Sequence, residues 1–130
     1  MPPAADGPLL EVSNLQKYFH RSSLFGRGGR PVRAVDGVSL ELKAGKTLGL
    51  VGESGCGKTT TGRLLVRLDD PTGGTVRLGG EDCTDVRGGA LKAYRRRIQM
   101  VFQDPSASLD PKMKVGESIA EPLVSHSEGS

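Results

Sequence analysis

Apolar residues in this chain come in short runs set between glycine-, proline- and serine-rich breaks. Leu9 to Leu15 (LLEVSNL) predicts a strand, and the aromatic pair Tyr18-Phe19 follows it. Val35 to Leu42 (VDGVSLEL) alternates apolar and polar positions, as a half-buried strand does. Lys43-Ala44-Gly45-Lys46 predicts a tight turn into Thr47 to Val51 (TLGLV), an apolar run of the kind that forms a buried parallel strand. From Thr60 to Leu68 the period changes: Leu64, Leu65 and Leu68 fall at helical spacing, with Arg63 and Arg67 on another face. Asp69 to Gly74 (DDPTGG) stops that helix. A short strand at Thr75 to Leu78, a turn at Gly79 to Asp82 and a short basic helix over Ala90 to Arg97 come next. Ile98 to Phe102 (IQMVF) predicts a second buried strand, broken abruptly by Gln103 to Pro111. Val115 to Leu123 opens a further helix. Residues 1–8 read as a frayed leader, His20 to Arg33 as a mobile loop, and 125–130 as a tail; no internal repeat is visible.

Between the predicted strand 47–51 and the predicted helix lies Gly52-Glu53-Ser54-Gly55-Cys56-Gly57-Lys58-Thr59. It fits G-x-x-x-x-G-K-[ST], the phosphate-binding P-loop pattern, at every fixed position, and strand, glycine loop and helix is the context the pattern requires. Glycine lets the chain turn with unusual dihedrals and lets backbone N–H groups reach phosphate oxygens directly. The helix N-terminus adds partial positive charge. Lys58 is expected to reach the β- and γ-phosphates of a nucleoside triphosphate, and the Thr59 hydroxyl to sit on Mg²⁺. Thr60 reads either as an α-phosphate contact or as an ordinary first-turn residue. Glu53, Ser54 and Cys56 occupy variable positions, so at Ser54 and Cys56 the backbone is expected to make the contact.

Composition narrows the classes. Of 130 residues 35% are apolar and 4% aromatic, which suits one modest core. Net charge is +3, a mild balance that suits nucleotide contacts, and no nucleic-acid motif accompanies it. The arginines of the 20–33 loop read as solvated charge, with phosphate or acidic lipid as the alternative partner. Cys56 and Cys83 match no metal-ligand spacing, and a disulfide involving a P-loop residue is not expected. Cys56 reads as a small loop residue more readily than as a thiol open to alkylation. The start of the chain lacks a basic segment followed by an apolar core, and no run approaches the length of a membrane span. Membrane association is therefore expected only through a partner.

Polar Gln103 directly after a predicted buried strand is a second signal. In open α/β sheets ligands bind beyond the carboxyl ends of strands, so Gln103 could face the same crevice as Lys58. There its carbonyl could ligate Mg²⁺ and help orient a water. On spacing alone, a glutamine that simply caps a loop fits equally well.

The string Val101 to Pro111 (VFQDPSASLDP) closely resembles the Q-loop region of ABC-transporter ATPase subunits. Ala34 to Leu40 (AVDGVSL) and Gly52 to Thr59 resemble the segments that precede and form the Walker A site of the same family, in the same order. QDPxxSLDP and the long loop before the second strand look most like the dipeptide/oligopeptide importer branch. The resemblance runs from about Leu9 to Val124. It implies an α/β fold: part of a P-loop ATPase domain over 9–124, with an N-terminal antiparallel β portion, a P-loop strand–helix unit and the start of a helical subdomain. It implies that Phe19, with Tyr18 as fallback, stacks on adenine, which an aromatic face can do. It also implies that Gln103 contacts Mg²⁺ or water, and that Asp104 to Leu123 docks on a membrane permease subunit. The implied cofactors are ATP and Mg²⁺. The implied partners are permease subunits, a second ATPase subunit arranged head to tail and, indirectly, a solute-binding protein, at the cytoplasmic face of the membrane.

The family's LSGGQ motif, its Walker B strand ending in Asp-Glu and its switch histidine all follow the Q-loop, and this sequence contains none of them; His20 precedes the P-loop and His126 lies near the end. The chain therefore resembles about the N-terminal half of an ATPase domain of ordinary size. It is expected to bind ATP weakly, not to turn it over appreciably, and to be marginally stable because its sheet lacks strands. The competing readings are a stand-alone P-loop kinase or GTPase, against which the absence of an N-K-x-D string and the setting of Gln103 both speak, and a non-catalytic nucleotide-binding module.

Overall fold

The computed structural model describes residues 7–20, 29–104 and 106–127. Expectations for residues 1–6, for most of the 20–33 loop, for Pro105 and for 128–130 fall outside them. The chain divides into two units, Met1–Val86 and Arg87–Ser130.

The first unit is built on β1 (Leu10–Phe19) and β2 (Val32–Leu42), an antiparallel pair longer at both strands than the apolar patterns suggest. Leu10 and Val12 point into the core on alternate positions, but the next core residue is Leu15. Asn14 explains the change of phase. It adopts φ 51°, which asparagine tolerates better than most residues, and inserts one extra residue against both neighbouring strands. The inward set passes from even to odd positions there. On β3 (Gly73–Leu78), Gly74 at φ 86° lies so close to this bulge that a Cβ would strike the Asn14 carbonyl and Leu15 Cα.

β3 pairs antiparallel with β1 on the side away from β2, giving the order β2-β1-β3-β4. β4 is only Glu81–Asp82; the turn expected over four residues tightens to Gly79-Gly80, at φ 59° and 83°, because two positive-φ residues match the twist of a two-residue hairpin. Leu10, Val12, Leu15, Val35, Val76 and Leu78 from the sheet are buried, as are Leu64 and Val66 from α1 (Lys58–Leu65) and its C-terminal end.

α1 stops earlier than the leucine spacing suggests. The Arg67 amide donates to the Leu64 carbonyl (3.1 Å) and the Leu68 amide to the Arg63 carbonyl (2.9 Å), the paired bonds of a Schellman ending. The left-handed residue of that ending, normally glycine, is Arg67 at φ 60°. Its guanidinium, 1% exposed, donates to the Thr84 carbonyl and pairs with Asp70 at 3.0 Å, which holds the turn in place of backbone freedom.

Two expected strands do not form. Thr47–Val51 and Ile98–Phe102 belong to no ladder, and Val51 is 93% and Val101 90% exposed. An apolar run reads as a buried strand only if neighbours flank it. Among the described residues the one sheet is antiparallel and takes neither segment.

In the second unit, α2 (Gly88–Arg97) buries Tyr94 and ends on Arg95, Arg96 and Arg97, where positive charge suits the helix dipole. A single 3₁₀ turn follows at Ser106–Ser108, with the Asp104 carboxylate accepting from the Ser106 (3.0 Å) and Ala107 (3.3 Å) amides. In α3 (Val115–Ser127) the Glu117 carboxylate reaches back to the Lys114 amide at 3.2 Å, half of a capping box. α3 runs to Ser127, into the segment read as a tail, and buries none of its residues. None of the helices among the described residues is long and apolar enough to cross a membrane.

Candidate phosphate-binding site

Residues 52–57 form a loop that leads directly into α1. The Cys56 amide donates to the Glu53 carbonyl (3.3 Å), and Gly55 and Gly57 sit at φ 81° and 99°. Gly57 is needed for two reasons. Its dihedral is one that side chains resist, and a Cβ would run into the Ala34 carbonyl of β2. At Gly52 a Cβ would meet the Cys56 sulfur at 2.5 Å, so a side chain there would require the exposed Cys56 side chain to turn aside.

Lys58 folds back over this loop. Its ammonium donates to the Gly52 carbonyl at 2.5 Å and the Glu53 carbonyl at 2.7 Å, and lies 3.6 Å from Cys56 Sγ. Gly57 is the N-cap of α1 and gives it no side-chain cap, and the first turn carries no acid. The first amides of a helix have no intrahelical partner, so Lys58, Thr59 and Thr60 leave theirs to a ligand or to water. A concave loop, an ammonium inside it and an uncapped helix start together form an anion cradle. Thr59 is exposed, so its hydroxyl, a hard oxygen donor suited to Mg²⁺, is open to a ligand; Thr60 is half-buried and Ser54 exposed.

Sequence reasoning missed Thr61. Its hydroxyl and its amide both donate to the Gly57 carbonyl, each at 2.8 Å, and fix the end of the loop. The run Thr59-Thr60-Thr61 gave no sign of which hydroxyl turned inward. The packing of Ala34 on Gly57 was equally hidden, because it depends on a bulge: Lys17 faces Val35 and Tyr18 faces Arg33, leaving Ala34 as the extra residue.

Phe19 ends β1 in the same unit as the loop, 46% exposed, with the Lys17 ammonium 5.1 Å from its ring centroid. Tyr18, the fallback, is otherwise engaged: its hydroxyl donates to the Asp36 carboxylate. That bond holds Asp36 below the usual carboxylate range and raises the Tyr18 phenol above its own. Gln103 lies in the other unit, exposed, after a segment that belongs to no strand. The expectation that it ends a buried strand is therefore corrected. Among the described residues no cluster of histidine, cysteine, aspartate and glutamate could hold a metal ion by itself.

Comparison with known proteins shows the family and the fold. The ABC transporter family profile matches residues 35–128. The glutathione import ATP-binding protein GsiA of Pectobacterium atrosepticum is 51% identical over 125 residues, 95% of this chain and 20% of that protein. The oligopeptide transport ATP-binding protein AppF of Bacillus subtilis is 50% identical over 120 residues, 91% of this chain and 36% of that one. The dimeric bacterial ABC transporter cassette MJ0796 superposes with a TM-score of 0.74 at 28% identity, over 93% of this chain and 49% of the cassette. The same cassette in its dimeric post-hydrolysis state, bound to ADP and Pi, superposes with a TM-score of 0.73. The chain thus spans about a third or less of these curated relatives and half of the cassette. With well over half of its residues matched by the family profile, this chain belongs to the ABC transporter family.

Proposed function

We propose that this chain is the ATP-binding portion of the energy-coupling subunit of an importer for peptides or related small solutes. The observation that carries the reading is the Lys58 ammonium, held inside a glycine loop at the uncapped start of α1. In this reading Gly52, Ser54, Gly55, Cys56, Gly57, Lys58, Thr59 and Thr60 offer backbone amides, the ammonium and hydroxyls to the triphosphate. Phe19 supplies a face for the adenine ring. Mg²⁺, when bound, would neutralise charge shared by the phosphates; the Thr59 hydroxyl would be a ligand to it, and the family resemblance gives Gln103 as the residue that would contact Mg²⁺ or a water.

The solute class follows from the relatives, named for glutathione import and oligopeptide transport. The dimeric state of MJ0796 supports a second ATPase subunit as partner, and its ADP- and Pi-bound form supports hydrolysis by the whole assembly. The segment after Gln103 is the contact for membrane permease subunits. Val115, Ile119 and Leu123 of α3, at helical spacing and all exposed, suit that contact. A solute-binding protein acts indirectly, through the permease. The subunit then works at the cytoplasmic face of the membrane, held there by its partners, and makes no use of nucleic acid.

In this reading the chain's own groups bind and orient the triphosphate, and its sequence has no apolar strand ending in Asp-Glu to supply a base that activates water. In equilibrium dialysis with Mg²⁺ and ATP the 130-residue chain should bind nucleotide saturably and release no phosphate above the protein-free blank. Absence of saturable binding, or steady phosphate release that Lys58→Ala abolishes, contradicts the reading.

A further inference from the structure

The end of β1 is tied down from several sides. The Tyr18 amide donates to the Thr72 hydroxyl at 3.1 Å, and the Lys17 ammonium donates to the Asp70 carbonyl at 2.6 Å. Across the strand pair, the Tyr18 hydroxyl donates to the Asp36 carboxylate. Arg33 completes the group, with its guanidinium 3.2 Å from the same carboxylate and 5.5 Å from the centroid of the Tyr18 ring. Nothing in the phosphate cradle uses Tyr18, Arg33 or Asp36.

Their position bears on where Phe19 stands relative to the cradle. Arg33 and Asp36 flank the bulge at Ala34, the residue whose carbonyl packs against Gly57. Tyr18 is the residue immediately before Phe19. A bulge leaves a strand free to bend and rotate unless side chains fix it. Here the Tyr18–Asp36–Arg33 group spans the bulge and joins the two strands on both sides of it.

We propose that Tyr18, Asp36 and Arg33 form a positioning cluster that fixes the Phe19 ring relative to the 52–59 loop, and so sets how tightly the base is held, as distinct from the triphosphate. The proposal rests on the reading of Phe19 as the base platform. The cluster is largely exposed, and exposed ion pairs contribute little to stability. Its effect is therefore expected in base recognition more than in folding.

The test compares two ligands on the full 130-residue chain: ATP, and inorganic tripolyphosphate, which has the phosphates and no base. Phe19→Ala should weaken ATP about 10-fold, the loss of one stacked base, with tripolyphosphate within about twofold. Tyr18→Phe keeps the ring and removes only the hydroxyl, so any loss it shows is not lost stacking. It and Asp36→Ala should each weaken ATP about 3- to 5-fold, with tripolyphosphate again within about twofold. Asp36→Ala added to Phe19→Ala should weaken ATP no further, because no ring is left to position. If Phe19→Ala weakens ATP and the two cluster variants do not, the cluster is overturned and the platform stands. Equal weakening of both ligands by Asp36→Ala and Tyr18→Phe also overturns it, since that reports general disorder of the fold. If Phe19→Ala changes nothing, the platform itself is wrong and the cluster falls with it.

Discussion

Replacing Lys58 with alanine is expected to weaken ATP binding by about 30- to 100-fold while leaving the fold in place. The ammonium now bonds two loop carbonyls, Gly52 at 2.5 Å and Glu53 at 2.7 Å. Both residues are exposed, so water replaces the lost donor at little cost. A triphosphate has no such substitute. Its negative charge loses a positioned cation and one or two charge-assisted hydrogen bonds, each about 1.5–3 kcal/mol. A total of about 2–2.8 kcal/mol, from one strong bond of that kind or two partly replaced by water, converts to the stated loss at about 1.4 kcal/mol per decade. Equilibrium dialysis of the variant gives the affinity, and circular dichroism tests that the fold is retained. An affinity within twofold of the parent chain would mean that Lys58 does not face the phosphates.

Gly57→Ala should damage both fold and binding. At φ 99° an alanine costs about 1–2 kcal/mol from backbone strain alone. Its Cβ also lands on the Ala34 carbonyl oxygen, a backbone group that cannot swing aside as a side chain would. Either the β2 bulge or the start of α1 must shift, so the total loss should reach about 2–4 kcal/mol, and the cradle opens with it. Gly55 provides the control. It has φ 81° but open space around its Cβ position, so Gly55→Ala should cost only the strain, about 1–2 kcal/mol. Urea melts of the two variants compare these costs directly. Equal destabilisation would show that the Ala34–Gly57 contact carries no weight.

The sequence revealed most where one local pattern decides the outcome. The glycine loop and its helix are legible because each fixed position answers to one physical need, and the β1 and β2 runs because alternation marks a half-buried strand. Other features depend on residues far apart in the chain. Nothing local says that Tyr18 bonds Asp36, that Asn14 bulges, or that Arg67 takes the left-handed place of a glycine. The segments 47–51 and 98–102 show the opposite failure. Their apolar pattern is a strand's, but pairing is supplied by neighbours, and the described residues supply none. The same lack explains why Gln103, read as the end of a strand, follows a segment that joins no sheet.

The central claim is that Gly52 to Thr60, with Phe19, is where this chain takes up a nucleoside triphosphate. Amide chemical shifts of the ¹⁵N-labelled chain, followed during titration with ATP and Mg²⁺, test it most directly. The account predicts that the largest shifts fall on Gly52 to Thr60, with a smaller set at Phe19 and its neighbours that tripolyphosphate does not reproduce. Saturable shifts centred elsewhere, with the loop amides unmoved, would contradict it.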